Sequence, residues 1–498
     1  MNRIFIRSVL LFMVFSVVAY SLLKGQMSFY AVKDIIGLDQ SLYMHVSMFF
    51  TDEIFEQSYN GYQLQRIFPF ALVNILFESL SIPCSAPNLM LALIVCNVFA
   101  LVVSIIVFFR ISNYLHWKIS TEIIAFSILF VNFHTLKYIE YTPFNTDEFA
   151  FLSSIIMLDA WVKKRQVLLL CVGVIGTFIW PTLFISALIL YLFKQSPISL
   201  MDKSNSQPLS LWYLVKLGAA LLVLPILLLT FIKYAPTKTL NGFADIYWGD
   251  WFGYNYINIW VTVIATLCLM LFVYKMLEPF QFNLIYFWKK IVESVTLKRF
   301  VIVCFVYGAM KILLWSLSND DPYWDMAGML KHTALRSTAL PFVFLEAHFL
   351  YFGLIVVLLI FNWKRAIAVY ERLGIGFMLI IAMCLILCVN PESRYMIYLL
   401  PFVAIPFMAI VDQMKLRTWV SWLFLYMQLL LSRFWLPVNQ DWLLIYFRLD
   451  VMHYSMNGLV NGAFQHVEMY IVGSVLFILI SIIYYWGVRK SYFLINKL

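Results

Sequence analysis

Charge is scarce in this chain: Asp, Glu, Lys and Arg make up 12% of its 498 residues, where soluble domains carry about a quarter. That scarcity excludes an ordinary water-soluble globule. Ordered cysteine chemistry is missing too. Seven cysteines (Cys84, Cys96, Cys171, Cys268, Cys304, Cys384, Cys388) are scattered mostly through apolar runs. With no CxxC and no Cys/His ligand spacing, neither a disulfide framework nor a structural zinc site is indicated. Cys384 and Cys388 are four apart on one helix face, where small apolar packing suffices. No GxxxxGK[ST], no GxGxxG after a strand and no HExxH occurs, which disfavours ATP-driven transport, nicotinamide chemistry and zinc proteolysis. Internal repeats and low-complexity tracts are absent.

What is present is apolar. Hydrophobic residues make up 63%, aromatics 18%, and the mean hydropathy is +0.86. A bilayer core takes about 20 apolar residues per helix. Runs near 4–24, 88–110, 120–135, 147–162, 166–178, 180–194, 210–232, 256–276, 300–317, 344–362, 372–389, 395–411, 417–432 and 467–487 give an all-α polytopic membrane protein of about fourteen spans. The N-terminus, with Arg3 and Arg7 before an apolar run, has the outline of a signal peptide. It lacks a small-residue cleavage site and reads as the first span. Gln166 to Lys194 is too long for one helix, and Trp180-Pro181 near its centre favours a break, so a short hairpin is expected there.

The net charge of +9 and pI near 9.0 point to topology rather than to nucleic acid. Basic residues collect at alternate span ends: Arg110 and Lys118; Lys163, Lys164 and Arg165; Lys194 and Lys203; Lys289, Lys290, Lys298 and Arg299; Lys364, Arg365 and Arg372; Lys415 and Arg417; Arg489 and Lys490. The positive-inside rule then puts these ends and both termini in the cytoplasm. Counting Ile67–Pro83 as a span would reverse the pattern. With Pro69, Asn74 and Glu78 it reads as a helix at or dipping into the outer face. The outer loops fall near 25–87, 136–146, 233–255, 318–343, 390–394 and 433–466. Ser196–Ser210 is the one linker-like stretch. It divides an N-terminal module (1–195) from a C-terminal module (211–498).

Candidate chemistry lies in those outer loops. Asp39, in GLDQSLYMHV with Tyr43 and His45, is placed to cap a helix or to act as a general base. Asp147 and Glu148, at the mouth of a span, complement a helix dipole or face an internal cavity as functional acids. A divalent metal finds two carboxylates there but no clear third protein ligand. In NPESRYMIYLLP a short loop delivers Glu392, Arg394 and Tyr395, a phosphate grip or an interfacial anchor. Arg66, in YNGYQLQRIFP with Tyr62, has the same two readings. SNDDPYWDMAG holds Asp320, Asp321, Tyr323, Trp324 and Asp325, an acid–aromatic mix suited to carbohydrate but also common in aromatic belts. Lys311, inside the preceding span, either meets an anionic partner or snorkels to the surface.

In order, these features resemble the GT-C superfamily of polytopic glycosyltransferases, which use polyprenyl-phosphate-linked sugars. Asp39-Gln40-Ser41-Leu42-Tyr43 resembles the family's early acidic site, followed by Tyr62 to Pro69 leading into a juxtamembrane helix. Asn145-Thr146-Asp147-Glu148 resembles the second acidic site, and Arg394-Tyr395 with Pro401 the late Arg-Tyr. The match covers about the first 200 residues well and the rest loosely. Within the superfamily the O-antigen-modifying glucosyltransferases of phage and bacteria are of similar size. One departure stands out: many relatives carry an Arg at the hairpin break, where this chain has Ile179-Trp180-Pro181.

The resemblance implies a bacterial inner-membrane enzyme with an extracytoplasmic active site. Asp39 would activate an acceptor hydroxyl, and Asp147 or Glu148 would orient the acceptor or bind a metal. Arg394, with Arg66 or Lys311, would hold the donor phosphate, and transfer to a glycan or lipid acceptor would invert the anomeric carbon. The rivals are an O-antigen polymerase or ligase and a transporter or flippase.

Overall fold

The computed structural model describes residues 3–23, 38–138, 144–195, 259–279, 284–319, 333, 337–338, 340–414, 416–434 and 467–489. Asp325 with its acid–aromatic neighbours, the 196–210 linker and the apolar run at 210–232 lie outside the described residues. So do most of the outer loops at 233–255 and 433–466. Among the described residues every regular element is helical, and the only β pairings are isolated bridges between Asn60 and Asn319 and between Phe193 and Val295.

The chain opens with α1 (Arg3–Leu23) and α2 (Leu38–Glu53), then a one-turn helix Gly61–Leu64 and α3 (Phe68–Ser79). Next come α4 (Ala86–Tyr114), α5 (Ile119–Phe130) and α6 (Asp147–Val162), then α7 (Gln166–Gly176) and α8 (Pro181–Leu192). The second half holds α9 (Ile259–Leu277), α10 (Leu284–Ser294) and α11 (Leu297–Leu317), then α12 (Val343–Phe352), α13 (Leu354–Leu373) and α14 (Ile375–Leu387). A 3-10 stretch, Ser393–Leu399, leads into α15 (Leu400–Gln413), followed by α16 (Thr418–Leu431) and α17 (Val467–Ile483).

Among the described residues four helices are long and apolar enough to cross a membrane: Arg3–Tyr20 within α1, α4, α11 and the continuous Ser393–Gln413. The bent pair α12–α13 makes a fifth if counted as one span. The described residues do not by themselves show the count of about fourteen expected from apolar runs, because many helices inside those runs are short. α5 has 12 residues and α7 has 11. At 1.5 Å per residue they reach roughly 18 and 16 Å, against a hydrocarbon core of about 30 Å.

Three local results bear on the expectations. α7 and α8 do form a hairpin: a Cβ on Gly173 would meet Ala187, and one on Gly176 would sit 3.0 Å from Leu183, so the two helices lie side by side. α3, also short, packs on α2. Its buried Asn74 accepts from Thr51 N (3.1 Å) and donates to Ser47 O (3.3 Å). The run at 344–362, read from sequence as one span, breaks at Gly353 and turns through 120°. Gly353 has φ +76°. Gln428 of α16 spans the break, donating to Phe352 O (2.8 Å) and accepting from Leu354 N (2.9 Å).

The helix ends sort into two groups. At one end Glu122, in the first turn of α5, takes both Arg3 (2.8 Å) and Arg7 (2.7 Å) from the start of α1. Arg110 and Lys163 meet Asp159, and Lys118 meets Asp412 (3.6 Å). These are the basic positions that the sequence pattern assigns to one side. The opposite end gathers the starts of α3, α6, α8 and α15. The two modules interlock rather than stand apart, since α5 of the first packs against α15 and α16 of the second.

Candidate functional site

At the end opposite the basic cluster, residues from four chain segments meet around Trp180. The α7–α8 break places Trp180 just ahead of Pro181, which fits the first turn of a helix because its missing N–H is not needed there. Phe68 N donates to Phe178 O (2.9 Å), so the start of α3 is pinned to the hairpin tip. That contact delivers Arg66. Its guanidinium lies between the rings of Tyr62 and Trp180, 4.3 Å from each centroid. Its Nη1 is 3.5 Å from the hydroxyl of Tyr43, which itself stacks on Phe70 at 4.4 Å. Arg66 and Tyr43 are both buried.

The other side of Trp180 faces the late motif. Its ring is 5.9 Å from Tyr395 and 6.1 Å from Tyr398. Arg394 lies 5.6 Å over Tyr395 and pairs with buried Glu392 at 2.7 Å. Tyr62, Arg66, Trp180, Tyr395 and Arg394 therefore form one aromatic ladder with a guanidinium near each end.

The loop carrying Arg394 is held from below. His348 Nε2 is 2.8 Å from the carbonyl of Cys388, which can only accept, so that nitrogen carries the proton. Nδ1 then accepts from Ser393 Oγ at 3.0 Å. Asn390 caps Glu392 N (3.0 Å) and reaches Thr333 Oγ1 (3.2 Å). Seven residues is long for a 3-10 run, a geometry that often marks functional strain.

The acidic pair adjoins this loop, because α6 packs along Ser393–Leu399. Asp147 and Glu148 are both buried in the first turn of α6, where Asn145 accepts from Asp147 N (2.8 Å). Glu148 Oε1 is 3.5 Å from His134 Nε2, and His134 Nδ1 is 3.0 Å from the Tyr351 hydroxyl. His134 opens a π-helical turn at the end of α5, and Tyr351 belongs to α12, which also carries His348. One short buried helix thus reaches the Arg394 loop directly and the acidic pair through His134.

The remaining expected site residues lie elsewhere. Asp39 stands in the first turn of α2, and its side chain falls outside the described residues. His45 is exposed and pairs with Glu53 at 2.9 Å, turned away from Tyr43. Glu53 also accepts from Tyr59 Oη at 2.8 Å. Burial, reinforced by the Glu53 hydrogen bond and charge, pushes the Tyr59 phenol above its usual range. Lys311 is exposed rather than buried, over the ring of Tyr307 at 5.9 Å. It sits on α11, whose sides the bundle covers little, and does not join the ladder. Asp325 lies outside the described residues. Among the described residues no group of three or more His, Cys, Asp or Glu side chains is placed to hold a metal ion.

Sequence reasoning missed His134, His348 and Tyr351 and read Trp180 only as a break. Two of these carried a signal: His134 and His348 are ionisable residues inside apolar runs, and such residues default to functional hypotheses.

Searches against protein-family models, curated proteins and solved structures found no match to this chain.

Proposed function

We propose that this chain is a membrane glycosyltransferase of the GT-C kind. It moves a sugar from a polyprenyl-phosphate donor to a glycan or lipid acceptor on the extracytoplasmic face of a bacterial inner membrane. The observation that carries the reading is the ladder from Arg66 through Trp180 and Tyr395 to Arg394. Two guanidiniums on one aromatic wall suit a phosphate oxyanion flanked by a sugar ring, since arginine offers planar paired donors and aromatic faces take the apolar face of a sugar.

In this reading the arginines hold the donor phosphate and stabilise it as it leaves, the step at which negative charge develops. Asp39 removes the acceptor hydroxyl proton as the oxygen attacks the anomeric carbon, and direct displacement inverts that carbon. Asp147 and Glu148, braced by His134 and Tyr351, orient the acceptor. The full count of about fourteen spans, with the termini in the cytoplasm, belongs to the same proposal.

A second reading has one observation in its favour. The break at Gly353 resembles the interrupted helices that line substrate sites in transporters, which suits a polyprenyl-glycan flippase. Purified chain in vesicles with a polyprenyl-phosphate hexose and extracted surface glycan separates the two. A mass gain of one hexose on the acceptor supports transfer, and movement of the lipid across the bilayer without that gain supports the flippase.

A further inference from the structure

Between two apolar runs the sequence shows only a basic loop, yet α10 forms there. At 100° per residue, Phe287, Trp288, Ile291 and Val292 fall on one arc of α10, with Lys289, Lys290 and Glu293 opposite. The apolar arc is shared between two neighbours. Phe287 and Ile291 pack against the core, whereas Trp288 is 67% and Val292 59% exposed. The helix is pinned at its C-terminal end: Lys194 N donates to Ser294 O (3.1 Å), and Val295 bridges Phe193. Thr296 then accepts from Arg299 N (3.4 Å) and starts α11. The exposed apolar strip continues onto α11 through Leu297, Phe300 and Val301.

A helix fixed on one flank, apolar on the next and charged on the third lies in the plane of a membrane surface, with its Trp at the boundary. The charges say which surface. Lys290 pairs with Glu293 at 2.7 Å and Arg299 lies 5.7 Å over Tyr191, while Lys289 and Lys298 are exposed. A nucleic acid or acidic protein would meet the cations but not the exposed Trp288 and Val292 beside them. We infer that α10 is an interfacial helix that binds anionic phospholipid headgroups through Lys289, Lys290 and Lys298. Trp288 and Val292 enter the acyl boundary beneath them. This inference does not depend on the sugar-transfer reading.

The test uses the full chain in nanodiscs of phosphatidylcholine, with and without phosphatidylglycerol, and native mass spectrometry of retained lipid. For the wild type, phosphatidylglycerol should raise the unfolding midpoint. In Lys289→Gln/Lys290→Gln/Lys298→Gln that rise should vanish while the midpoint in pure phosphatidylcholine stays, and retained phosphatidylglycerol should fall roughly fivefold per lysine. The single Lys289→Glu variant should lose more of the rise than Lys289→Gln and serves if the triple variant does not fold. An undiminished rise, or equal lowering in both lipids, overturns the proposal.

Discussion

The guanidinium of Arg66 lies 4.3 Å above the ring of Trp180, although α3, α4, α5, α6 and α7 separate the two residues along the chain. The hairpin break at Ile179-Trp180-Pro181 has no arginine of its own, yet a guanidinium stands against it. The segment leading into α3 carries that group across.

That placement makes the ring as consequential as the charge. Each cation–π contact of this kind contributes about 0.5–2 kcal/mol. Trp180→Leu is expected to lower sugar transfer roughly 2- to 30-fold, and Arg66→Ala, which loses both contacts, by more, chiefly through the KM for the donor. Arg66→Lys should not restore it, because an ammonium cannot stack flat between two rings. Steady-state kinetics on the purified variants decide, and a lysine variant with wild-type donor KM would remove the ladder from the site.

Arg394 should respond differently from the acceptor side. Its 2.7 Å pair with buried Glu392 aims it, and the Ser393–His348 bond fixes the loop behind it. Arg394→Ala is expected to weaken donor binding more than acceptor binding, measured by titration of each separately. Unchanged donor affinity sinks the phosphate role.

Asp39→Asn should abolish transfer while membrane insertion and the unfolding midpoint stay intact. An amide keeps the shape but cannot take the acceptor's proton. Near wild-type transfer by the purified variant would mean that another group is the base.

Much of this site was legible in the sequence because its members were anomalies where they stood. Arg66, Asp147, Glu148 and Arg394 are charges beside apolar runs, and the proline after Trp180 announced the hairpin. What joined them was not legible, since a ring contact between Trp180 and Tyr395 leaves no local periodicity. The break at Gly353 was hidden for a related reason. Its neighbours are apolar, and the group that satisfies the broken backbone, Gln428, comes from another helix. α10 was missed because its apolar arc is only half the helix and too short to register as a run. The number of spans was not legible either, because composition measures an apolar stretch and not the length of helix within it.

At the basic end, Glu122 should prove structural. Arg3 and Arg7 sit in the opening turns of α1, where positive charge opposes the helix dipole, and Glu122 offsets both while itself buried. Breaking a buried pair costs about 3–5 kcal/mol, and solvent around the part-exposed guanidiniums reduces that to roughly 1–3 kcal/mol here. Glu122→Gln is therefore expected to lower the unfolding midpoint measurably. Adding Arg3→Gln and Arg7→Gln should cost little more, and a strictly additive triple variant would contradict the shared carboxylate.

Gln428 offers the sharpest test of the fold, because one side chain serves both sides of a helix break. It caps the last carbonyl of α12 and the first amide of α13 at Phe352 and Leu354. Gln428→Leu leaves both backbone groups buried without that partner, at about 1–3 kcal/mol each. Gln428→Glu can still accept from Leu354 N and donates to Phe352 O only when its carboxyl is protonated, so it should fall between. Gly353→Ala is expected to be worse than either. The new Cβ would collide with the Gln428 amide, and φ +76° strains any L side chain. Because α12 carries His348 and Tyr351, loss of transfer should track loss of the bend across the three variants. Unfolding midpoints ordered Gln428→Glu, Gln428→Leu, Gly353→Ala from highest to lowest support the bracket. A Gln428→Leu variant as stable as the wild type would show that the bend is held by other contacts.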